Sequence, residues 1–245
     1  MKDFILRLVT PIREGVYLTP LRKIKHTLVI VLRLLRYVMV FPIVLVLRII
    51  RPWLLVRFFS VIGTRIGHFS GNTEIYLCEY DSGVHQPVQR HIDLFYFSGR
   101  PVSNQQLAKM WKRTINVWPA WVLAPIDRIN HLVPDGKVHE IGSNTQHDRD
   151  VYNLYDKLPP HLEFTEKEEA KGRAQLRLMG LPIGAPFVCI IARDSAYLNS
   201  HITGVDFTYH NHRDVDVKNY LLAAEELANR GYYVFRMGVM VEKPL

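Results

Sequence analysis

The pattern of apolar and polar positions divides this chain into three stretches of different character. Residues 28–59, LVIVLRLLRYVMVFPIVLVLRIIRPWLLVRFF, are apolar almost throughout and interrupted mainly by arginine. Beyond Ser60 the pattern breaks into shorter blocks. Residues 72–80 read as a helix. Residues 92–97 (IDLFYF) read as a strand, ended by Ser98-Gly99-Arg100-Pro101, and residues 105–113 as a helix capped by Ser103 or Asn104. Residues 114–153 are rich in Trp, Pro, His and Asp and show no clean period, which predicts irregular backbone with a short strand or helix around 121–131. Trp111, Trp118 and Trp121 are expected in the core. Thr165-Glu166-Lys167-Glu168 is a capping box opening a helix to about Met179, and Gly180-Leu181-Pro182 stops it.

The last stretch has the clearest organisation. Phe187 to Ile191 reads as a buried strand running into Ala192-Arg193-Asp194. A polar loop with His210-Asn211-His212-Arg213-Asp214 follows, then a helix whose apolar stripe is Tyr220, Leu221, Ala224, Leu227 and Ala228. Asp214 or Asp216 caps that helix and Gly231 ends it. Residues 232–235 form a second strand ending in Arg236-Met237-Gly238. This is a βαβ unit, so the two strands are expected to be parallel neighbours. Arg193, Asp194 and Arg236 then share the carboxyl edge, where open α/β sheets bind ligands. The helix-stop-linker sequence before Phe187 places a domain boundary near residue 182. The fold class is α/β.

Charge narrows the candidate ligands. The net charge is +8, but residues 1–60 hold eleven Lys/Arg against two acids, which leaves the remaining residues at −1. Nucleic acid is therefore not an expected partner, because a binding footprint needs basic residues over the folded face. The basic N-terminus is not a cleavable signal peptide: its apolar tract is too long, starts too late and lacks a small-residue cleavage site. Arg22, Lys23, Lys25, Arg33, Arg36, Arg48 and Arg51 fall within an arc of roughly 160° on a helix. One cationic face against one apolar face favours helices lying in an anionic membrane surface. A transmembrane span and a protein-buried helix pair are the alternatives. Pro42 and Pro52 are expected to kink or break the run. Cys78 and Cys189 have neither disulfide nor zinc spacing and are expected to be buried, reduced thiols.

Two guanidiniums and up to two imidazoles at one sheet edge suggest an anionic ligand, phosphate first. The alternative for Arg193 is a simple ion pair with Asp194 or Asp216. Asp194 can act as a base or hold an arginine in place. His210 and His212 lack a third ligand at a recognisable spacing, so no metal is expected. In Gly63-Thr64-Arg65-Ile66-Gly67-His68 the glycines permit a tight turn with exposed backbone N–H groups, with Arg65 and His68 as its polar candidates. No Walker loop, GxGxxG, GxSxG or HExxH occurs. Transfer from a diphosphate-activated donor remains compatible with a cationic crevice.

The stretches FVCIIARDSAYL and YHNHRDVDVKNYLLAAEELANRGYYVFRMG, with GTRIGHFSGNTEIYL upstream and the FTEKEEAKGRAQLRLMGLP helix between, resemble a family of bacterial glycosyltransferases of surface-carbohydrate synthesis. The resemblance covers about residues 60–245. More distantly, the chain is similar to fucosyltransferase-like enzymes, in which an arginine after a strand binds the donor diphosphate. The resemblance implies a GT-B-like architecture. In it, a membrane-associated helical segment (1–60) precedes a Rossmann-like acceptor-side domain (61–182) and the βαβ beginning of a Rossmann-like nucleotide-sugar domain (183–245).

Arg193, Arg213 and Arg236 would contact donor phosphates, Asp194 and His212 are the catalytic candidates, and Arg65 and His68 would border the acceptor. No cofactor is expected beyond the nucleotide-sugar co-substrate. The implied partners are a glycan or lipid-linked acceptor and the anionic cytoplasmic face of the inner membrane. Such proteins continue beyond the point where this chain ends, so a C-terminally truncated fragment is expected. The alternative function is a non-catalytic membrane-bound scaffold or inactive truncated homologue, and a weaker one is a phosphatase or kinase-like enzyme.

Overall fold

A computed structural model describes residues 20–84, 86–141, 149–201 and 206–243, apart from the side chains at 20–26, 29, 33 and 34. The chain is α/β and divides into two compact units, Met1–Glu163 and Phe164–Leu245. The division falls ahead of the capping-box helix, which therefore belongs to the second unit.

The first unit is built on a parallel pair, β1 (Leu55–Ile62) and β2 (His91–Ser98), in register from Leu55 opposite His91 to Ile62 opposite Ser98. Single parallel bridges extend the layer on either side, from Phe58 to Glu140 and from Phe95 to Val117. Parallel strands are normally covered on both faces, and these are. Phe59, Val61 and Phe95 point into one core with Phe69, Tyr76 and Trp111. Val56, Phe58 and Tyr96 point into a second core with Val40, Val44, Leu123 and Ile126. The first face is covered by a π-helical turn (His68–Asn72), α2 (Thr73–Asp81) and α3 (Gln105–Thr114); the second by α1 (Pro20–Ile50) and α4 (Ala120–Leu132).

Local chemistry accounts for the boundaries. Asn104, not Ser103, caps α3, its side chain accepting the Leu107 N–H at 2.9 Å. In the π turn, the Thr73 N–H bonds the Ser70 carbonyl, and the Phe69 carbonyl accepts the Trp111 indole N–H at 2.8 Å. Only Trp111 of the three tryptophans expected in the core is there; Trp118 is 47% and Trp121 65% exposed. The reason is their position: Trp118 follows the bridge at the margin of the layer, and Trp121 lies in the first turn of α4 on its outer side.

The first core holds one buried ion pair. Arg57 and Asp93 are register partners in the ladder, joined by two hydrogen bonds of 2.7 and 2.6 Å, with both side chains under a tenth exposed. The Tyr76 hydroxyl donates to the same carboxylate. Burial, then the neighbouring Asp93 charge, raises the Tyr76 pKa.

Helix α1 continues through Pro42 without a break, whereas it ends at Ile50, just ahead of Pro52, as a break there requires. Its far end is also not a free cationic face. Arg48 bonds the Pro134 carbonyl (2.7 Å) and the Asn130 side-chain oxygen (2.9 Å), and Arg51 pairs with Asp135 at 3.8 Å. These arginines satisfy acceptors on the segment they pack against. Arg36 is exposed, while Arg22, Lys23, Lys25 and Arg33 lie outside the described side chains. Ile30–Ile50 is long and apolar enough to cross a membrane by length and composition.

The second unit contains α5 (Glu166–Leu178), β3 (Phe187–Ile191), α6 (Ala196–His201), a 3₁₀ turn (Thr208–Arg213), a second 3₁₀ turn (Val217–Tyr220), α7 (Leu221–Asn229) and β4 (Tyr233–Met237). The expected capping box is complete: Thr165 Oγ1 accepts the Glu168 N–H, and Glu168 accepts the Thr165 N–H. β3 and β4 pair in parallel. Asp216 caps the second 3₁₀ turn through the Lys218 N–H (3.0 Å), and Gly231 takes a positive φ of 86° after α7.

β3 was expected to be a buried strand, yet it alternates. Val188 and Ile190 are covered, whereas Phe187, Cys189 and Ile191 are exposed among the described residues. Among the described residues, α7 packs on β4, and a helix against a two-stranded sheet covers one face. Cys189 is therefore an exposed thiol and Cys78 a buried one; both are free.

Two outcomes follow. Asp93→Ala strands a buried guanidinium and is expected to lower unfolding free energy in urea by about 3–5 kcal/mol, whereas the double replacement Arg57→Met/Asp93→Leu recovers most of the loss.

His131 sits between Asp127 and Glu140, with Nε2 2.5 Å from the Glu140 carboxylate. Asp127 first, then Glu140, push its pKa up to about 9 against burial. A raised histidine pKa stabilises fully below the ordinary value near 6.5 and loses that stabilisation as pH rises to about 9. Its side chain is 44% exposed, so solvent screening reduces the effect. Urea midpoints should fall between those pH values, and His131→Gln should flatten the decline.

Candidate functional site

The carboxyl edge of the β3–β4 pair gathers three of the sequence-predicted residues, Arg193, Asp194 and Arg236. β4 extends two residues further than expected, so Arg236 lies inside the strand opposite Ile190 rather than beyond it. Arg193 and Asp194 follow β3 directly. The Val215 N–H bonds the Arg193 carbonyl at 2.9 Å, which draws the His/Arg loop to this edge.

Each arginine has its own carboxylate. Arg193 Nη1 bonds Asp214 Oδ1 at 2.6 Å and the His210 carbonyl at 2.9 Å. Its partner is thus Asp214, not Asp194 or Asp216. Arg236 Nη2 lies 3.4 Å from Asp194 Oδ2, and its Nη1 donates to the Lys243 carbonyl. Lys243 in turn faces Asp216 at 3.4 Å. Carboxylates thus offset both arginines, and the four central charges sum to zero.

Two features keep the edge chemically distinctive. The Arg236 side chain is only 10% exposed, and its buried Nε has no hydrogen-bond partner among the described residues. A buried guanidinium with an unused donor is a costly arrangement that an anion would relieve. Asp194 has both oxygens engaged: Oδ1 accepts the Ala196 N–H at 3.1 Å, and Oδ2 the Glu242 N–H at 3.0 Å beside Arg236. It opens α6 and holds Arg236 in place.

The remaining candidates are more dispersed. His212 is exposed in the first 3₁₀ turn and donates Nδ1–H to the Tyr209 carbonyl at 2.9 Å, which leaves Nε2 as its basic nitrogen. Arg213 is exposed at the end of that turn. His210 is half-buried beside the Phe207 and Tyr209 rings.

Arg65 and His68 belong to the first unit, at the π turn. The glycine loop there is not an open N–H cradle. The Gly63 N–H bonds the Ser98 carbonyl at 3.2 Å, and the Gly63 carbonyl accepts the Ser103 N–H at 2.7 Å. A Cβ at Gly63 would meet Val102 at 2.9 Å, so close packing, rather than ligand approach, is why glycine fits here.

The sequence reading missed a second polar cluster, in the first unit. A cavity of about 420 Å³ is bordered by Ser70, Glu74, Cys78, Trp111 and Tyr155. At its side, His161 Nδ1 lies 3.0 Å from Glu74 Oε1, and Nε2 lies 3.0 Å from Asp81 Oδ2. Burial pulls the His161 pKa down, but the two carboxylates outweigh it and hold it above the ordinary value. Burial, then Glu74, pushes the Cys78 thiol up to about 11. The one signal in the sequence was the Glu74, Cys78, Asp81 spacing, which places all three on one helical face.

No protein-family model, curated protein or solved structure matches this chain.

The carboxylate pairing makes a direct forecast. Asp214→Asn or Asp194→Asn releases an arginine for an added anion. Since a hydrogen bond to a charged group contributes about 1.5–3 kcal/mol, calorimetric affinity for pyrophosphate should rise roughly tenfold in either variant. Unchanged affinity in both would show that these carboxylates do not control the edge.

Proposed function

We propose that this chain is a membrane-associated glycosyltransferase that takes a sugar from a nucleotide-diphosphate donor and passes it to a glycan or lipid-linked acceptor at the cytoplasmic membrane face. The observation that carries the proposal is the Arg236 guanidinium: nine-tenths buried near the carboxyl end of parallel strands, paired with Asp194, with one donor unused among the described residues. That edge is where α/β sheets hold phosphates. In a GT-B-like arrangement the second unit serves the donor, and the first, with Arg65 and His68, serves the acceptor.

Diphosphate leaving groups need cationic donors, which Arg193, Arg213 and Arg236 supply, while His212 Nε2 offers a base. The exposed apolar residues of α1, among them Leu35, Val38, Phe41 and Ile49, with Trp53 after the helix, suit a bilayer surface where such an acceptor resides.

A second reading is favoured by a specific observation. Arg193 and Arg236 already have carboxylate partners, which fits a non-catalytic membrane-bound scaffold equally well.

The deciding experiment measures binding and turnover of UDP- and GDP-sugars with vesicle-bound protein. Arg236→Ala and Arg193→Ala should each weaken nucleoside-diphosphate binding by at least roughly tenfold, the equivalent of about 1.4 kcal/mol. Wild-type binding in both variants would overturn the donor site. Vesicle binding with no nucleotide-sugar binding would favour the scaffold.

A further inference from the structure

We propose that Glu74, Cys78 and His161 form a divalent-cation site of the zinc class on the wall of the first unit's cavity. Their candidate ligand atoms all lie within 4.8 Å of one another. In a tetrahedral site with bonds of about 2.0–2.3 Å, ligand atoms stand about 3.3–3.8 Å apart. Closing the difference takes about 1 Å of side-chain adjustment, within the reach of small χ rotations.

The donor set selects the metal. Thiolate with imidazole favours zinc-like ions over magnesium or calcium, which require oxygen ligands. Cys78 and Glu74 are four apart on α2 and so project from one face. His161 reaches them from a segment 87 residues away in sequence from Glu74.

A second, independent feature points the same way. Asp81 accepts from His161 Nε2 at 3.0 Å, which orients the ring with Nδ1 toward Glu74. A carboxylate on the distal nitrogen is the arrangement that fixes metal-bound histidines and raises their basicity. Binding replaces the protons on His161 Nδ1 and Cys78 Sγ, so two protons are released. A divalent ion with one thiolate, one carboxylate and one neutral imidazole is then charge-neutral, which suits a site where Cys78 is 2% exposed. Three protein ligands leave a fourth position. Glu74 and Cys78 border the cavity, so that position opens toward it and can take water or a ligand oxygen.

The test is titration of the intact, chelator-treated protein with cobalt(II). The expected result is one ion per chain, a thiolate-to-cobalt charge-transfer band with the intense visible bands of tetrahedral cobalt, and release of two protons. Cys78→Ser should abolish the charge-transfer band. Asp81→Asn, a positioning variant, should keep the stoichiometry but weaken affinity about 10–100-fold.

If the Cys78 variant fails to fold, X-ray absorption on the zinc-loaded native chain decides. One sulfur at about 2.3 Å among nitrogen and oxygen at about 2.0–2.2 Å supports the site. No stoichiometric uptake, or a bound ion with no sulfur in its shell, overturns it. So does cobalt binding that is unchanged in both His161→Gln and Cys78→Ser.

Discussion

The fold of the first unit depends on covering both faces of the β1–β2 pair. Each strand sends alternate residues into two cores, and removing either cover would expose a row of Phe, Val and Tyr side chains. One of those covers is α1. Val44 on that helix is fully buried against the sheet layer, and Arg48 is fastened to the α4 segment. A helix apolar enough by length and composition to cross a membrane is therefore also a structural wall of the domain. The exposed apolar side chains of α1 lie on the sides that Val40 and Val44 do not use.

The same layer carries a buried charge without leaving it isolated. Arg57 and Asp93 face each other across the ladder because parallel pairing aligns them, and Tyr76 shares the carboxylate. Such a pair contributes little net stability against an apolar replacement. It makes register slip costly, since a shift of one residue would send each charge to the opposite core. The second unit handles charge differently. Its arginines and carboxylates lie near the strand ends in a neutral network, each guanidinium engaged by a carboxylate.

What the sequence disclosed was mostly local. The capping box of Thr165 and Glu168, the strand at Phe187 and the parallel partner at Tyr233 depend on neighbouring residues or short-range periodicity, and the structure contains them. The burial of β3 was misjudged because an apolar run predicts cover on both faces, while cover depends on which elements pack there. Trp118 and Trp121 were misplaced for the same reason. Arg48 read as part of a cationic stripe, because helical phase reveals a direction but not what waits in that direction. At the candidate site, the convergence of Arg193, Asp194 and Arg236 was legible from the βαβ pattern. Their pairing was not, because Arg193 passes over the adjacent Asp194 for Asp214, 21 residues away, and sequence proximity gives no hint of that choice. His161 was invisible to any local reading, since it joins α2 from an aperiodic segment.

The π turn before α2 has a mechanical consequence. It places one residue more in that turn than α-helical geometry would, and so sets the rotational phase of everything that follows on the helix. Removing that residue would turn α2 by about 100° about its axis. Glu74, Cys78 and Asp81 would then swing away from the cavity and from His161. A single inserted residue thus acts as the dial that aims one helical face.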